Sequence, residues 1–300
     1  MAKLALGTAQ FGLKYGINNK TGKPKRKSSL KMLKNAYDKG IRYFDTAYAY
    51  GNAEELLGLF TESNKLQNKV NIISKLKPNI LDGYKGDVFN LVKSEINGSL
   101  NRLKIRALEG YLLHTPEYIY HEGIINALKK SKKKGLIKKF GVSIYNEKEA
   151  LFAVSLPVDI IQIPYSIFDQ RLNNTRFFEI AKKNKVKVFA RSPFVQGLIF
   201  MNDKEIPDCC REARVYLNEF DKIIKRYNLT RLEAAILFSY CNKNIDYVVF
   251  GVDNLEQLKE AIHITDNFTN IEYFRTCSDE LTKKFHNVKK RAIIPNLWKK

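Results

Sequence analysis

The sequence predicts an α/β fold, a closed (β/α)8 TIM barrel, and three observations carry that expectation. Eight short apolar runs are spread over 300 residues. Amphipathic stretches with helical spacing alternate with them. No G-x-G-x-x-G follows the first run, which disfavours a doubly wound open sheet, the main alternative. Alternation of this kind implies parallel strands joined by right-handed crossovers, and eight units favour closure into a barrel.

The predicted strands are Leu4–Leu6, Tyr43–Phe44, Val70–Ile73, Leu108–Leu113, Ile137–Val142, Ile160–Ile163, Val186–Ala190 and Tyr247–Phe250. The first helix, SSLKMLKNAYDKG, is expected to open on a serine cap and stop at Gly40. NAEELLGLFTES, DVFNLVKSEINGSLNRL, EGIINALKKSKKKG, NEKEALFAVSL and TRFFEIAKKN follow, then REARVYLNEFDKIIKRY, TRLEAAILFSYC and NLEQLKEAIHIT. No linker or composition break divides the chain, so one domain over residues 1–300 is expected. Two segments stand outside the repeat: a long loop after strand seven, Gln196–Cys210, and a C-terminal extension, Asp266–Lys300. Each is long enough to fold over the mouth of a barrel, and loops of that length usually serve function.

Composition narrows the classes. Hydrophobic residues make up 44%, which excludes a disordered chain. No apolar run approaches the roughly 18 residues that cross a bilayer, so no membrane partner is expected. The opening MAKLALGTAQFG lacks the apolar core of a signal peptide and reads as the first strand. Cys209, Cys210, Cys241 and Cys277 form no C-x-x-C pair, which fits free thiols in a reducing cytoplasm; a vicinal redox element at Cys209–Cys210 is the alternative. The net charge is +21, but the lysine clusters are scattered and fall mostly at helix ends, where they complement the dipole. They lack interleaved aromatics and a nucleic-acid motif, so no nucleic-acid partner is expected. A field that attracts phosphorylated or nucleotide-linked substrates is the second reading. The histidines at 114, 121, 263 and 286 are dispersed, and no metal site is expected.

In a barrel, catalytic groups stand at the C-terminal ends of strands. Asp45 follows the second run, with Tyr50 five residues on. Lys75 follows the third and His114 the fourth. Four such residues from three consecutive strands should converge. A tyrosine titrates near 10 and is a poor acid at neutral pH. An adjacent ammonium stabilises the phenolate and lowers that value. Lys75 is therefore expected to tune Tyr50, Asp45 to hold Lys75 charged, and His114 to donate to a substrate carbonyl oxygen. With a hydride donor opposite, this set reduces carbonyls.

These residues resemble the aldo-keto reductase superfamily. The matching pieces are LGTAQFG, GIRYFDTAYAYGNAEELLG, ISKLKP, YLLHTPE, KKFGVSIYN, DIIQIPYS, FARSPFVQGL and VVFGVDNLEQLKEAI, in the family's order over residues 4 to 262. The resemblance implies a catalytic tetrad of Asp45, Tyr50, Lys75 and His114, and NADPH/NADP bound extended across the barrel mouth, with NADH possible. It implies that Gly7 and Thr8 lie beneath the nicotinamide, that Asp45 also belongs to the cofactor site, and that Ser143 and Gln162 hold the carboxamide. Ser192, Phe194 and Gln196 then wrap the pyrophosphate, and Gly251, Val252, Gln257 and Glu260 meet the adenosine.

Three departures stand out. Ile144 takes the place of a frequent Asn. Arg191 takes the place of an aromatic that stacks on the nicotinamide, a role a guanidinium plane can fill. Gln257 takes the place of an Arg that pairs with the 2′-phosphate, and Val252 that of a small hydroxyl residue. GTAQFGLKYGI with GVSIYN and ARSPFVQGL is similar to a bacterial branch found near polysaccharide and sugar biosynthesis genes, which implies a sugar-derived or nucleotide-sugar carbonyl; a broad-specificity aldehyde reductase remains open. So do an NADP(H)-binding regulatory subunit with little turnover and a barrel lyase or epimerase. Substrate choice is expected in the loops Phe11–Lys27, Thr115–His121, Asp169–Asn174 and Gln196–Cys210, with Phe11, Tyr48, Tyr145 and Phe168 either as an apolar wall or as packing. The oligomeric state is not legible.

Overall fold

Eight parallel strands close on themselves in chain order: β1 (Lys3–Gly7), β2 (Tyr43–Asp45), β3 (Asn71–Lys75), β4 (Gly110–Leu113), β5 (Phe140–Ser143), β6 (Ile160–Pro164), β7 (Lys187–Arg191) and β8 (Tyr247–Phe250). The last ladder joins β8 to β1, with Leu4 opposite Val248 and Leu6 opposite Phe250. The coordinates are a computed structural model and describe residues 1–298. Lys299 and Lys300, the end of the expected extension, lie outside the described residues.

The barrel interior is packed. Ala5, Ile73, Leu112, Ile160, Phe189 and Val249 form its cluster, with Tyr43 and Tyr247 against it. Phe189 and Tyr247 stack with centroids 4.4 Å apart. This fill makes the barrel a core rather than a pore, and any ligand must sit at the mouth. A larger core lies between the strands and the outer helices, as amphipathic helices require.

The helices are α1 (Ala9–Gly12), α2 (Arg26–Asp38), α3 (Ala53–Ser63), α4 (Val88–Leu103), α5 (Glu122–Lys133), α6 (Glu147–Val154), α7 (Phe177–Lys183), α8 (Ala213–Arg226), α9 (Arg231–Tyr240), α10 (Leu255–Asp266), α11 (Ile271–Phe285) and α12 (Lys290–Ile293). Helix α2 starts before the expected serine: Lys25 is its cap, without a side-chain bond. Ser29 is buried, and its hydroxyl and N–H both turn back to the Lys25 carbonyl. By contrast Asn146, Thr230 and Asn254 cap α6, α9 and α10 with side-chain oxygens.

Strand boundaries also move. The runs expected from Leu108 and Ile137 begin the regular ladder only at Gly110 and Phe140; their first residues meet as an isolated bridge between Leu108 and Ile137. The loop after β7 contains three short 3-10 turns. The described part of the C-terminal extension includes α11 and α12 and packs on the segments that follow β5 and β6. Phe285 lies 5.0 Å from Phe168, the Leu281 carbonyl accepts from Gln170, and Lys290 faces Glu147 at 3.9 Å. Phe168 is thus core packing, as is buried Phe11.

All four cysteines are free. Burial pushes Cys210 and Cys277 up to about 12 and Cys241 to about 11, so these three remain thiols at neutral pH. No helix among the described residues is long and apolar enough to cross a membrane.

Candidate active site

Asp45 and Lys75 are the last residues of β2 and β3, and His114 follows the last residue of β4. Parallel register therefore brings their side chains to one rim. Lys75 is 0% exposed and Asp45 4%. The ammonium donates to Asp45 Oδ1 at 2.8 Å, Asp45 Oδ2 at 2.7 Å and the Thr46 carbonyl at 3.0 Å. Those three bonds use all three of its N–H groups. Burial pulls the Lys75 pKa down, and the Asp45 carboxylate pulls it back up. Behind it, Ser74 donates to buried Glu54 at 2.5 Å, and Arg102 donates to the other Glu54 oxygen at 2.7 Å. This network fixes the end of β3. Tyr48 is no cavity wall: it stands 36% exposed between Lys77 and Arg102.

Tyr50 lies in the turn between β2 and α3, its ring centroid 4.9 Å from Lys75 Nζ. The His114 ring meets it edge-on, 5.8 Å between centroids at 90°. Sequence reasoning expected Lys75 to lower the Tyr50 pKa. The structure has it raised well above 10, first by burial and then by the Asp45 charge. Burial outweighs the neighbouring ammonium, whose three hydrogens go to Asp45 and Thr46 and not to the phenol oxygen. Tyr50 is held protonated.

His114 is neutral. Burial, then the Lys75 and Arg191 charges, lower its pKa to about 3, and its buried Nδ1 has no hydrogen-bond partner among the described residues. Its folded value lies below the unfolded value near 6.5, so stability is fully present above about pH 6.5 and is lost as pH falls toward 3. Replacing His114 with Phe is expected to flatten that acid limb, whose slope is up to about 1.4 kcal/mol per pH unit. Urea melts between pH 4 and 7 check this; parallel profiles for both proteins would contradict it.

A cavity of about 450 Å³ opens beside Tyr50 and Asp45. Among the residues suggested for a cofactor, Gly7, Thr8, Asp45, Arg191, Ser192 and Phe194 line it. Gln196, Gly251, Val252, Gln257 and Glu260 do so too. Ser143 and Gln162 do not. Both are buried, Ser143 donates to Gln162 Oε1 at 3.2 Å, and Gln162 donates to Asp45 Oδ1 at 2.8 Å. Their polar groups brace the carboxylate from behind, where a free amide facing a carboxamide was expected. Arg191 lies 4.8 Å over the Tyr145 ring and donates to the Ile144 carbonyl at 3.0 Å. The segment after β7 is strained: Ser192, Val195 and Gln196 have φ of 64°, 47° and 56°, a region side chains rarely adopt, β-branched ones least.

Sequence reasoning missed several wall residues. Tyr15, Gly16, Asn18 and Asn19 come from the loop before α2, flagged only as a whole. Gln196 donates to the Tyr15 hydroxyl at 3.2 Å, and Asn19 donates to Asp253 at 3.1 Å, so that loop straps the cavity from β7 to β8. No residue of Thr115–His121 or Asp169–Asn174 lines it. Gly12 was also missed. A Cβ there would stand 1.7 Å from the Tyr50 carbonyl oxygen, and backbone cannot swing aside. Gly12→Ala is expected to displace the Tyr50 turn and lower kcat about 10²-fold while cofactor affinity holds. Steady-state kinetics with a binding titration checks it; wild-type kcat would contradict it.

A closed (β/α)8 barrel brings Tyr50, Lys75, Asp45 and His114 together at the ends of its strands, with Tyr50 and Asp45 on the wall of the cavity. The family model for the aldo/keto reductase family matches residues 3–278. The chain belongs to that family. It is 24% identical over 297 residues to the aldo-keto reductase YhdN of Bacillus subtilis, covering 90% of this chain and 87% of that protein. It is 24% identical to the NADH-specific methylglyoxal reductase of Escherichia coli, covering 87% and 89%. The solved aldo-keto reductase AKR11C1 from Bacillus halodurans (holo form) has the same fold, with TM-score 0.75 at 19% identity and coverage of 97% and 94%.

Proposed function

We infer that the chain is a nicotinamide-dependent carbonyl reductase in which Tyr50 gives the proton. The observation that supports this reading best is the meeting of Tyr50, Lys75, Asp45 and His114, with Tyr50 and Asp45 on the wall of one cavity. The residues present fit a dinucleotide. The cavity is of the size cofactor sites have, and its wall runs from Asp45 and Tyr50 past the strained Ser192–Gly197 backbone to the start of α10. Gly7, Thr8, Arg191, Ser192, Phe194, Gln196 and Gly251 would hold it. When bound, a reduced nicotinamide supplies the hydride.

The chain's own groups do the rest. Neutral His114 carries one N–H and donates it to the substrate oxygen, which orients the carbonyl. Tyr50, protonated across the working pH range, passes its proton to that oxygen as negative charge develops on it. An alkoxide is a stronger base than a phenolate, so the transfer runs downhill even from a phenol with a raised pKa. Lys75, held by Asp45, then lies close enough to stabilise the phenolate left behind. Burial of the pair keeps water from competing for these bonds.

Relatives include an NADH-specific methylglyoxal reductase. That supports a small carbonyl substrate; the sugar-derived or nucleotide-sugar class is our narrower suggestion, drawn from the motif resemblance. The motif resemblance points to NADP(H) and leaves NADH open. We place the enzyme in the cytoplasm, in keeping with four free thiols, with the whole chain as one catalytic domain. The test is a stopped-flow or steady-state assay of NADH and NADPH oxidation with methylglyoxal and with sugar aldehydes. Turnover with at least one carbonyl is expected. Cofactor binding without turnover on any of them would sink the reductase reading.

A further inference from the structure

We propose, resting on the dinucleotide reading above, that this chain selects NADH over NADPH, because the described residues lining the far end of its cavity offer carboxylates and no unpaired cation to the adenosine ribose.

Tyr50 and Asp45 fix the reacting end. An extended dinucleotide must then run along the remaining wall, past Ser192–Gly197, toward the residues after β8 and the first turns of α10. The two cofactors differ only in the phosphate on the 2′ oxygen of the adenosine ribose. At neutral pH such a monoester carries about −1.5 to −2 charge.

The groups awaiting it have the wrong sign. Asp253 and Glu260 line this end, and Glu256 stands in the first turn of α10. Asn19 donates to Asp253 Oδ1 at 3.1 Å, which leaves the second oxygen as an acceptor. Gln257, the neutral residue on the same turn, has its carbonyl oxygen tied to the Asp253 N–H at 2.8 Å. Val252 is buried and apolar, and the space beside Gly251 is taken by the Gln10 carboxamide, whose oxygen would stand 2.3 Å from a Cβ built there. The helix amide of Gln257 is already capped by Asn254 at 2.9 Å.

Two arginines line the cavity, and neither serves this end. Arg231 is committed to Asp221 at 2.6 and 2.5 Å and to the Ile199 and Met201 carbonyls at 2.9 and 2.8 Å. Arg191 sits at the reacting end, over Tyr145. Lys20, on the strap, is paired with Glu205. A 2′-phosphate would therefore meet like charge without a charge-assisted partner. A 2′-hydroxyl is a donor, and a carboxylate is the acceptor that reads it.

The test is calorimetric or fluorescence titration of the full chain with NADH and NADPH, and with 5′-AMP and 2′,5′-ADP as adenosine-end probes. NADH is expected to bind at least about tenfold more tightly than NADPH, and the gap to narrow as salt rises. The Asp253→Ser/Gln257→Arg double variant should shift the ratio toward NADPH, and 2′,5′-ADP should gain affinity with it. Equal or tighter NADPH binding by the wild type, or a ratio that the double variant leaves unmoved, overturns the selectivity while leaving the dinucleotide site standing. Failure of every nucleotide to bind overturns the dinucleotide reading and the selectivity together.

Discussion

Tyr50→Phe should lower kcat by about 10²–10⁴-fold, the usual worth of a positioned general acid, equivalent to about 3–5 kcal/mol in the barrier. The substitution removes one hydroxyl and keeps the ring that packs edge-on against His114. The fold and the cavity wall should survive, so cofactor affinity should stay near the wild-type value. The result to measure is the split between the two: single-turnover rate against equilibrium binding. If both fell together, Tyr50 would be a binding residue. If neither moved, the proton would come from elsewhere, and His114 would be the next candidate.

The second large effect is expected at Lys75. Lys75→Met removes one partner of a buried ion pair and strands Asp45 at 4% exposure. Breaking such a pair typically costs about 3–5 kcal/mol, because the remaining charge has no water to replace its partner. Stability should therefore fall by that order. Turnover should be lost as well, since the phenolate loses its only nearby ammonium. The double variant Asp45→Asn/Lys75→Met separates these effects: it should regain part of the stability and none of the activity. Denaturant melts of the two variants measure the difference. A double variant no more stable than Lys75→Met would show that the pair is not coupled.

Much of this was legible in the string of residues. Eight runs and eight strands coincide, because a buried parallel strand must be apolar on both faces and so reads as a continuous run. The convergence of Asp45, Lys75 and His114 followed from the same rule, since Asp45 and His114 are the first polar residues past their runs and Lys75 the second, after Ser74. That rule also hid something. The hydrogen-bonded ladder continues beyond the last apolar residue, so Asp45, Lys75, Ser143 and Arg191 end strands instead of opening loops. Their backbones are held rigidly, which is how a rim is built.

Other features were not legible, each for a physical reason. Whether Lys75 acts on Tyr50 or on Asp45 depends on which acceptors its three hydrogens reach, a matter of ångströms that spacing does not encode. Gln162 was expected to face a ligand; its amide is instead engaged by Asp45, a residue 117 positions away in the chain. Phe11 and Phe168 read equally as binding aromatics or as packing on paper, and their contacts show them to be core. Gly12 gave no signal beyond being a glycine, because the Tyr50 carbonyl it must clear lies in another loop. The opposite case is Asp253. It was passed over beside Val252 and Gln257, yet it is the charged group nearest the question of which cofactor fits.

One measurement bears on the whole account: a crystal structure of the wild-type protein with a nicotinamide dinucleotide bound. The account predicts the nicotinamide ring beside Tyr50, leaving room for a carbonyl about 3–3.5 Å from both the ring and the phenol oxygen. It also predicts the adenosine ribose against Asp253. Density for the dinucleotide outside this cavity, or a nicotinamide with Tyr50 out of reach of any carbonyl above it, would contradict it.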